Sequence, residues 1–207
     1  MHESHPSLTP RLGISACLLG EPVRFNGGHK RSALCEELAR HVEFVSFCPE
    51  QAIGLGTPRP AIRLEGTPEA AEARSRDGLA VGGALAEYAR RVAQRADTLD
   101  GFIFMQRSPS CGLQRVKVYP EGGGAPRAEG RGRFAAALCE ALPELPVEEE
   151  GRLHDPVLRE NFLTRVYAHA HWQALRQRGL SHSAIVAFHS RYKYQLLAHS
   201  PEHYRSL

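Results

Sequence analysis

Residues 11–48 have the sequence "RLGISACLLGEPVRFNGGHKRSALCEELARHVEFVSFC", from which the fold class of this chain can be predicted. It opens with a run of strand length, Arg11–Cys17, and passes through apolar residues at helical spacing, Arg31–His41. It then closes on a second strand-like run, Val42–Cys48. A strand, a helix and a second strand in this order are typical of a parallel sheet covered by helices.

The alternation of strand and helix patterns continues along the chain. Further elements are predicted at Leu79–Ala96 (helix), Gly101–Arg107 (strand), Val116–Pro120 (strand), Arg133–Leu145 (helix) and Pro146–Gly151 (strand). Residues 49–78 and 121–132 are dense in glycine and proline, which predicts loops without regular structure. We therefore predict an α/β fold with a Rossmann-like, mostly parallel sheet flanked by helices.

The character of the sequence changes after Asp155. A long helix is predicted from Pro156 to a stop at Gly179, a second from a Ser181 cap, and a third from Ser200. We predict an α/β domain over residues 1–155. Residues 156–207 would then form a short α-helical extension, the opening part of a helical, RNA-associated partner domain that breaks off in its third helix.

Composition and charge narrow the functional class. The chain has 207 residues, of which 42% are hydrophobic and 24% charged, as in soluble globular proteins. No apolar run approaches the ~20 residues of a membrane span, and the first ten residues have no signal-peptide core. A cytoplasmic location with a disordered lead-in is therefore expected. Residues 151–207 carry eight Lys or Arg and three Asp or Glu, which indicates either a polyanionic partner or a solvated helix surface.

Three of the five cysteines follow predicted strands. Cys17 and Cys48 end the first two strands, and Cys111 lies four residues past the third. Because ligands collect outside the carboxyl ends of parallel strands, the three thiols are expected to converge. Cys35 and Cys139 lie on apolar helix faces and are expected in the core. An odd cysteine count without a CxxC pair argues against a disulfide framework.

Three thiolates leave one position of a metal centre open. With zinc that position would hold an activated water. With a cubane iron–sulfur cluster it would be an iron free to bind a substrate atom. The spacing does not choose between them, although ligation by sulfur alone favours iron–sulfur.

Three segments, "ISACLLGEPVRFNGGHK", "CPEQAIGLGTPRPAIRL" and "RSPSCG", resemble the thiouracil desulfidase family in the same order. "GRLHDPVLRENFLTRVYAHAHW" and "FHSRYKYQLLAHSPEHYRSL" resemble the continuation and partner domain of its two-domain members. Those members are similar to bacterial desulfidases that remove sulfur from 4-thiouridine in tRNA. The resemblance implies a 4Fe–4S cluster on Cys17, Cys48 and Cys111, a catalytic acid/base at Glu50 and a catalytic serine at Ser108.

The expected function is a non-redox desulfidase that converts 4-thiouridine in tRNA to uridine and sulfide. Water would attack the thiocarbonyl carbon while Glu50 takes its proton, and Ser108 would relay a proton to the ring. One alternative is a desulfidase of free thiouracil or thiouridine monophosphate. A rival from another class is a zinc-containing RNA-binding module without catalysis.

Polar side chains outside this set are candidate contacts to substrate. Base or phosphate contacts are predicted for Arg24, Asn26, His29 and Lys30, with a simple turn as the alternative. Phosphate contacts, or plain solvation, are predicted for Arg59 and Arg63. Possible RNA contacts are Arg191, Lys193 and Tyr194. The glycine-rich start of the helix at "EGRGRF" resembles an anion site made of backbone amides.

Overall fold

The computed structural model describes residues 8–95 and 98–206 of the chain. The predicted disordered lead-in falls largely on residues 1–7, which lie outside this range. Within it, the strands are β1 (Arg11–Ser15), β2 (Glu43–Phe47), β3 (Ile62–Glu65), β4 (Glu72–Ser75), β5 (Gly101–Phe104), β6 (Val116–Tyr119), β7 (Arg127–Gly130) and β8 (Val147–Glu149). The α-helices are α1 (Ala33–Leu38), α2 (Pro49–Ala52), α3 (Gly82–Ala93), α4 (Arg133–Ala141), α5 (Pro156–Arg178), α6 (His182–His199) and α7 (Pro201–Ser206).

The first sheet is parallel throughout and has the order β2-β1-β5-β8. Its central strand β1 is buried apart from its first residue, and β5 is buried along its whole length. Strands covered on both faces are typical of parallel sheets. The predicted α/β fold with a parallel sheet between helices is confirmed.

The structure contains a second sheet, of order β4-β3-β6-β7, of which only β6 is among the predicted strands. The prediction of structureless loops over residues 49–78 and 121–132 is wrong, since α2, β3 and β4 form within the first and β7 within the second. Two of the four residues in each of β3, β4 and β7 are charged, so no apolar run or periodic pattern marks them as strands. The strand predicted at Val116–Pro120 also joins this sheet, where β6 pairs in parallel with β3.

Alternate residues of β5 supply two separate parts of the core. Phe102 and Phe104 face α3, α4 and the second sheet, and their stacked rings have centroids 4.2 Å apart. Ile103 points to the opposite face, toward Cys35 of α1 and Phe162 of α5. This period-2 alternation places helices on both faces of the first sheet. Cys35 is fully buried and Cys139 is partly buried against the core, as expected from their helix faces.

The helical segment begins and ends at the predicted residues. The Asp155 carboxylate accepts hydrogen bonds from the first amides of α5, and Gly179 follows its last residue with a φ of 96°. The Ser181 hydroxyl caps α6 by accepting from the amide of Ala184. Phe162 in the first half of α5 packs into the core beneath β1. The division of the chain at residue 155 stays a prediction.

No helix among the described residues is long and apolar enough to cross a membrane.

Candidate active site

Three loops meet at the carboxyl ends of β1, β2 and β5. Cys17 lies in a single 3-10 turn, Ala16–Leu19, directly after β1, and its carbonyl accepts from the amide of Lys30. Cys48 follows β2 and occupies the N-cap position of α2. Cys111 lies on the loop after β5. The fold thus brings the three cysteines to one edge of the parallel sheet, as the strand ends predicted.

These loops surround a cavity of about 440 Å³. Cys17, Cys48 and Cys111 line it together with Glu50 and Ser108. The other charged side chains in its wall are cationic, namely Arg24, Lys30, Arg59 and Arg107. Glu50 is the one carboxylate among the described residues of the wall, so the cavity has a positive balance that suits anionic or electron-rich occupants.

Burial makes the three thiols poor acids in the absence of a bound metal. It raises the pKa of Cys17 to about 11, against a smaller opposing effect of the Arg24 guanidinium. Burial also raises the pKa of Cys48, and that of Cys111 most strongly. Each of these pKa values is raised further by the charge of a neighbouring cysteine or of Glu50. The thiols therefore influence one another across the cavity.

The carboxylate of Glu50 is held at both oxygens. Arg59 contacts Oε2, with Nε at 2.8 Å and Nη2 at 2.7 Å, and the buried Ser110 hydroxyl donates to Oε1 at 2.8 Å. Arg59 is itself fixed, because its guanidinium also donates to the carbonyls of Val23 and Gly56. Glu50 therefore has one defined position at the cavity wall.

The loop that carries Cys111 is a tight turn packed against α4. The Ser108 hydroxyl accepts from the amides of Ser110 and Cys111, at 3.2 and 3.1 Å, and keeps its own proton to donate. A Cβ atom on Gly112 would lie 2.9 Å from the carbonyl oxygen of Ser108, closer than real contacts allow. Only glycine fits at this point of the turn.

The backbone amides at the start of α4 do not form the anion site suggested by "EGRGRF". The amide of Arg133 donates to the carbonyl of Pro109, and the amides of Phe134 and Ala135 donate to that of Ser110. These donors are occupied by the cysteine loop, so their role is to anchor it.

The donor set fits an iron–sulfur cluster by its chemistry. No group of three or more His, Cys, Asp or Glu side chains within the described ranges is arranged to hold a metal ion. In a cubane, however, each cysteine binds a different iron, so its sulfur ligands stand farther apart than those of one ion. Three cysteines and no histidine line the cavity in the described part of the chain, which is a soft set suited to iron–sulfur. Cluster ligation by the three cysteines stays a prediction.

The candidate substrate residues of "RFNGGHK" separate into two groups. Arg24 and Lys30 line the cavity. Asn26 and His29 lie outside the described cavity wall and serve the turn instead. Asn26 Oδ1 accepts from the amide of Gly28, and His29 Nδ1 accepts from that of Arg31. For Asn26 and His29 the structure therefore supports the simpler turn interpretation.

The two arginines of the long loop differ in their surroundings. The side chain of Arg59 is 5% exposed and paired with Glu50, which argues against the solvated alternative. Arg59 lines the cavity with the cysteines, and its contact with a phosphate stays a prediction. Arg63 is half exposed on β3, pairs with Glu65 and lies over the Tyr119 ring. It lines a neighbouring cavity rather than the one that holds the cysteines.

The candidate RNA contacts lie together on α6. Arg191 is exposed, Lys193 lies over the ring of Tyr194 with its Nζ 5.0 Å from the centroid, and Tyr194 is 70% exposed. Their accessibility permits contact with RNA, and that role stays a prediction.

Ser15 and Ser110 belong to the site although the sequence analysis did not single them out. Ser15 is buried at the end of β1, accepts from the amide of Met105 and hydrogen-bonds the Cys111 thiol. Ser110 is fully buried and donates to Glu50. A polar residue that ends an otherwise apolar strand was the available signal for Ser15. No sequence signal marked Ser110, because the catalytic role in this loop was assigned to Ser108.

The fold and the cavity define an α/β protein with a three-cysteine candidate active site at the carboxyl edge of its parallel sheet. The model of the 2-thiouracil desulfurase family matches residues 12–150, well over half of the chain, and the chain belongs to this family.

Two relatives support the same placement. The chain is 33% identical over 107 residues to the uncharacterized protein YbbK of Bacillus subtilis (strain 168), over 48% of this chain and 71% of the relative. A solved structure of the [4Fe-4S]-dependent thiouracil desulfidase TudS superposes with a TM-score of 0.58 at 29% identity. The match covers 73% of this chain and 97% of that one.

Proposed function

We propose that this protein is a 4Fe–4S-dependent desulfidase that removes sulfur from a thiolated uracil, with 4-thiouridine in tRNA as its substrate. The observation that carries the proposal is that Cys17, Cys48, Cys111, Glu50 and Ser108 line one cavity. The family membership and the likeness to a [4Fe-4S]-dependent thiouracil desulfidase support the same activity.

Cys17, Cys48 and Cys111 would hold the cluster through their thiolates. When bound, such a cluster would supply Lewis-acid chemistry to the soft thiocarbonyl sulfur, which would make the adjacent ring carbon electron-poor. Arg24, Lys30 and Arg59 surround the cysteines with positive charge, which favours the thiolate forms that ligation requires.

Glu50 takes the proton of the attacking water. Arg59 and Ser110 each contact one of its two oxygens, which fixes the orientation of the Glu50 carboxylate at the cavity wall. Such positioning lowers the barrier because little reorganisation is needed when charge moves in the reaction. Ser108 then passes a proton to the ring. Sulfide leaves, water supplies the oxygen that replaces it on the uracil ring, and no electron is consumed.

The helical segment favours tRNA over a small substrate. Residues 151–207 carry a net charge of +5, and α6 exposes Arg191 and Tyr194. A base in folded tRNA must leave its stack to reach the cavity, at a cost of a few kcal/mol. Phosphate contacts from a basic surface offset such a cost. Free thiouracil or thiouridine monophosphate is the alternative, in keeping with the name of the similar TudS.

The test compares three substrates with anaerobically purified protein. Loss of the thiocarbonyl absorbance is followed for 4-thiouridine-containing tRNA, 4-thiouridine monophosphate and free 2-thiouracil. We expect tRNA to be preferred, with its turnover falling steeply as salt rises. A preference for the free base that does not respond to salt would contradict the tRNA assignment and leave the small-molecule alternative.

The α6 contacts are tested in the same assay. An Arg191→Gln/Lys193→Gln variant should lose tRNA turnover and show a weaker salt dependence. The slope of log turnover against log salt concentration should fall by about one for each lost phosphate contact.

Iron content separates the enzyme from a zinc-containing RNA-binding module, since one zinc and no iron in anaerobic protein would favour the module.

A further inference from the structure

A second cavity, of about 390 Å³, adjoins the one that holds the cysteines. The two share a wall formed by Ala61, Ile62, Arg107 and Pro109. The second cavity lies over the outer face of the second sheet. Its floor includes Lys117 of β6, which pairs with the small Ala128 of β7. A molecule seated at the cysteines can therefore extend into it across Arg107.

The charged side chains that line this second cavity are all cationic. They are Arg63, Arg76, Arg107, Arg115 and Lys117. Arg63 is offset by its ion pair with Glu65. Over residues 8–95 and 98–206, the other four form no ion pair and are exposed. Four uncompensated cations around one concave surface create a strong positive potential.

The backbone presents two of these arginines in an uncommon conformation. Arg107 and Arg115 have φ values of 58° and 55°, and they are the non-glycine residues with positive φ in the described part of the chain. This left-handed conformation is disfavoured for residues with a Cβ atom. Both lie at this cavity, at the two ends of the turn that carries Ser108 and Cys111. Strained residues of this kind cluster at ligand sites.

From these observations we infer that the second cavity is a phosphate subsite, which binds the phosphate attached to the thiolated nucleoside whose base lies at the cysteines. Arginine and lysine are the side chains that recognise phosphate, arginine through its planar fork. The shared wall places a phosphate next to the base site, as in a nucleotide. The inference rests on the proposed function. It assigns the contact with this one phosphate to the α/β domain, whereas the contacts proposed for α6 are with other phosphates of the RNA.

The phosphate can come from a mononucleotide or from an RNA backbone. The test measures binding by isothermal titration to the anaerobic protein, with uridine, uridine 5′-monophosphate and unmodified tRNA as probes. The wild-type protein should bind uridine monophosphate about tenfold more tightly than uridine, because hydrogen bonds to charged groups are the stronger ones.

The variant Arg76→Gln/Lys117→Gln removes two of the free cations. It should lower the affinity for uridine monophosphate to that for uridine, or lower the affinity for tRNA with a salt slope reduced by about two. The first result assigns the subsite to a nucleotide phosphate and the second to the RNA backbone. Arg40→Gln/Arg95→Gln makes the same charge change at exposed residues outside both cavities and serves as the control.

The inference is overturned if the Arg76→Gln/Lys117→Gln variant binds both phosphate-bearing probes as the control variant does, with its fold intact by circular dichroism. Binding is measured without turnover, so this result is distinct from failure of the proposed function. That failure would show as absence of desulfuration with every thiolated substrate.

Discussion

The guanidinium of Arg59 contacts a single carboxylate oxygen of Glu50 through two of its nitrogens, at 2.8 and 2.7 Å. Both side chains are largely buried, and Arg59 has no other acidic partner among the described residues. The pair joins the loop after β2 to the cavity wall, so the geometry of the candidate base depends on an arginine nine residues away.

Replacing Arg59 by lysine keeps the charge but removes the planar fork that holds Glu50 and two carbonyls. We expect Arg59→Lys to lower kcat by roughly tenfold to a hundredfold while KM and iron content stay close to wild type. Steady-state kinetics with 4-thiouridine-containing tRNA and iron analysis check this. Arg90→Lys, at an exposed arginine paired with Glu87, is the matched control. An Arg59→Lys enzyme with the kinetics of the control would show that Arg59 does not position the base.

Substituting Glu50 tests the proposed proton path. In Glu50→Gln the amide oxygen can face Arg59 and the amide nitrogen can donate to Ser110, so the fold and the iron content should persist. Turnover should fall roughly a hundredfold to ten-thousandfold, the usual size of a lost acid/base group. Single-turnover desulfuration under anaerobic conditions is the measurement. Normal turnover would mean that another group takes the proton.

The two serines of the Cys111 loop have different expected effects. Ser108→Ala removes the proposed proton relay and should reduce turnover by roughly two to four orders of magnitude. Ser110→Ala removes one hydrogen bond to Glu50, worth about 1–2 kcal/mol, and should reduce turnover about tenfold. Parallel kcat measurements, with iron content as a check on cluster assembly, test this order. A larger loss in Ser110→Ala would exchange the assigned roles of the serines.

The proposed function divides the cysteines into cluster ligands and packing residues. Substituting Cys17, Cys48 or Cys111 by alanine should remove the brown colour and the activity together. Cys35→Ala should keep both, with a loss of stability of about 1 kcal/mol from the small cavity left in the core. Cys139→Ala should also keep both. Anaerobic absorbance spectra and iron analysis distinguish the two groups. Loss of the cluster in Cys139→Ala with Cys111→Ala intact would overturn the ligand assignment.

The parallel sheet could be predicted because its signals are local. The runs at β1, β2 and β5 are apolar enough to identify as strands, and the helices between them have capping residues or clear periodicity. The strands β3, β4 and β7 of the second sheet lack such apolar runs, because two of the four residues in each are charged. β3 pairs with β6 across more than fifty residues of sequence. Such pairing depends on tertiary contacts that a local pattern does not contain.

The part of the candidate site that could be predicted is the part placed by the strand ends. Cys17, Cys48 and Cys111 follow three neighbouring parallel strands, so topology alone brings them to one edge. The partners of Glu50 could not be deduced in this way. Ser110 is sixty residues from Glu50 in sequence. Arg59 lies in a loop whose sequence is typical of a solvent-exposed segment, yet its side chain is buried. Which side a loop residue faces is decided by packing, for which a single sequence carries little information.

The most direct test of hydrolytic desulfuration is a stoichiometric reaction in ¹⁸O-labelled water without any electron donor. Anaerobic protein with its iron–sulfur cluster is incubated with 4-thiouridine-containing tRNA or 2-thiouracil, and sulfide and the oxygen isotope of the product are measured. Hydrolytic desulfuration should give one sulfide per product and an ¹⁸O atom at the carbon that carried sulfur. Release of sulfur only when a reductant is added, or a product without the label, would contradict hydrolytic desulfuration at this site.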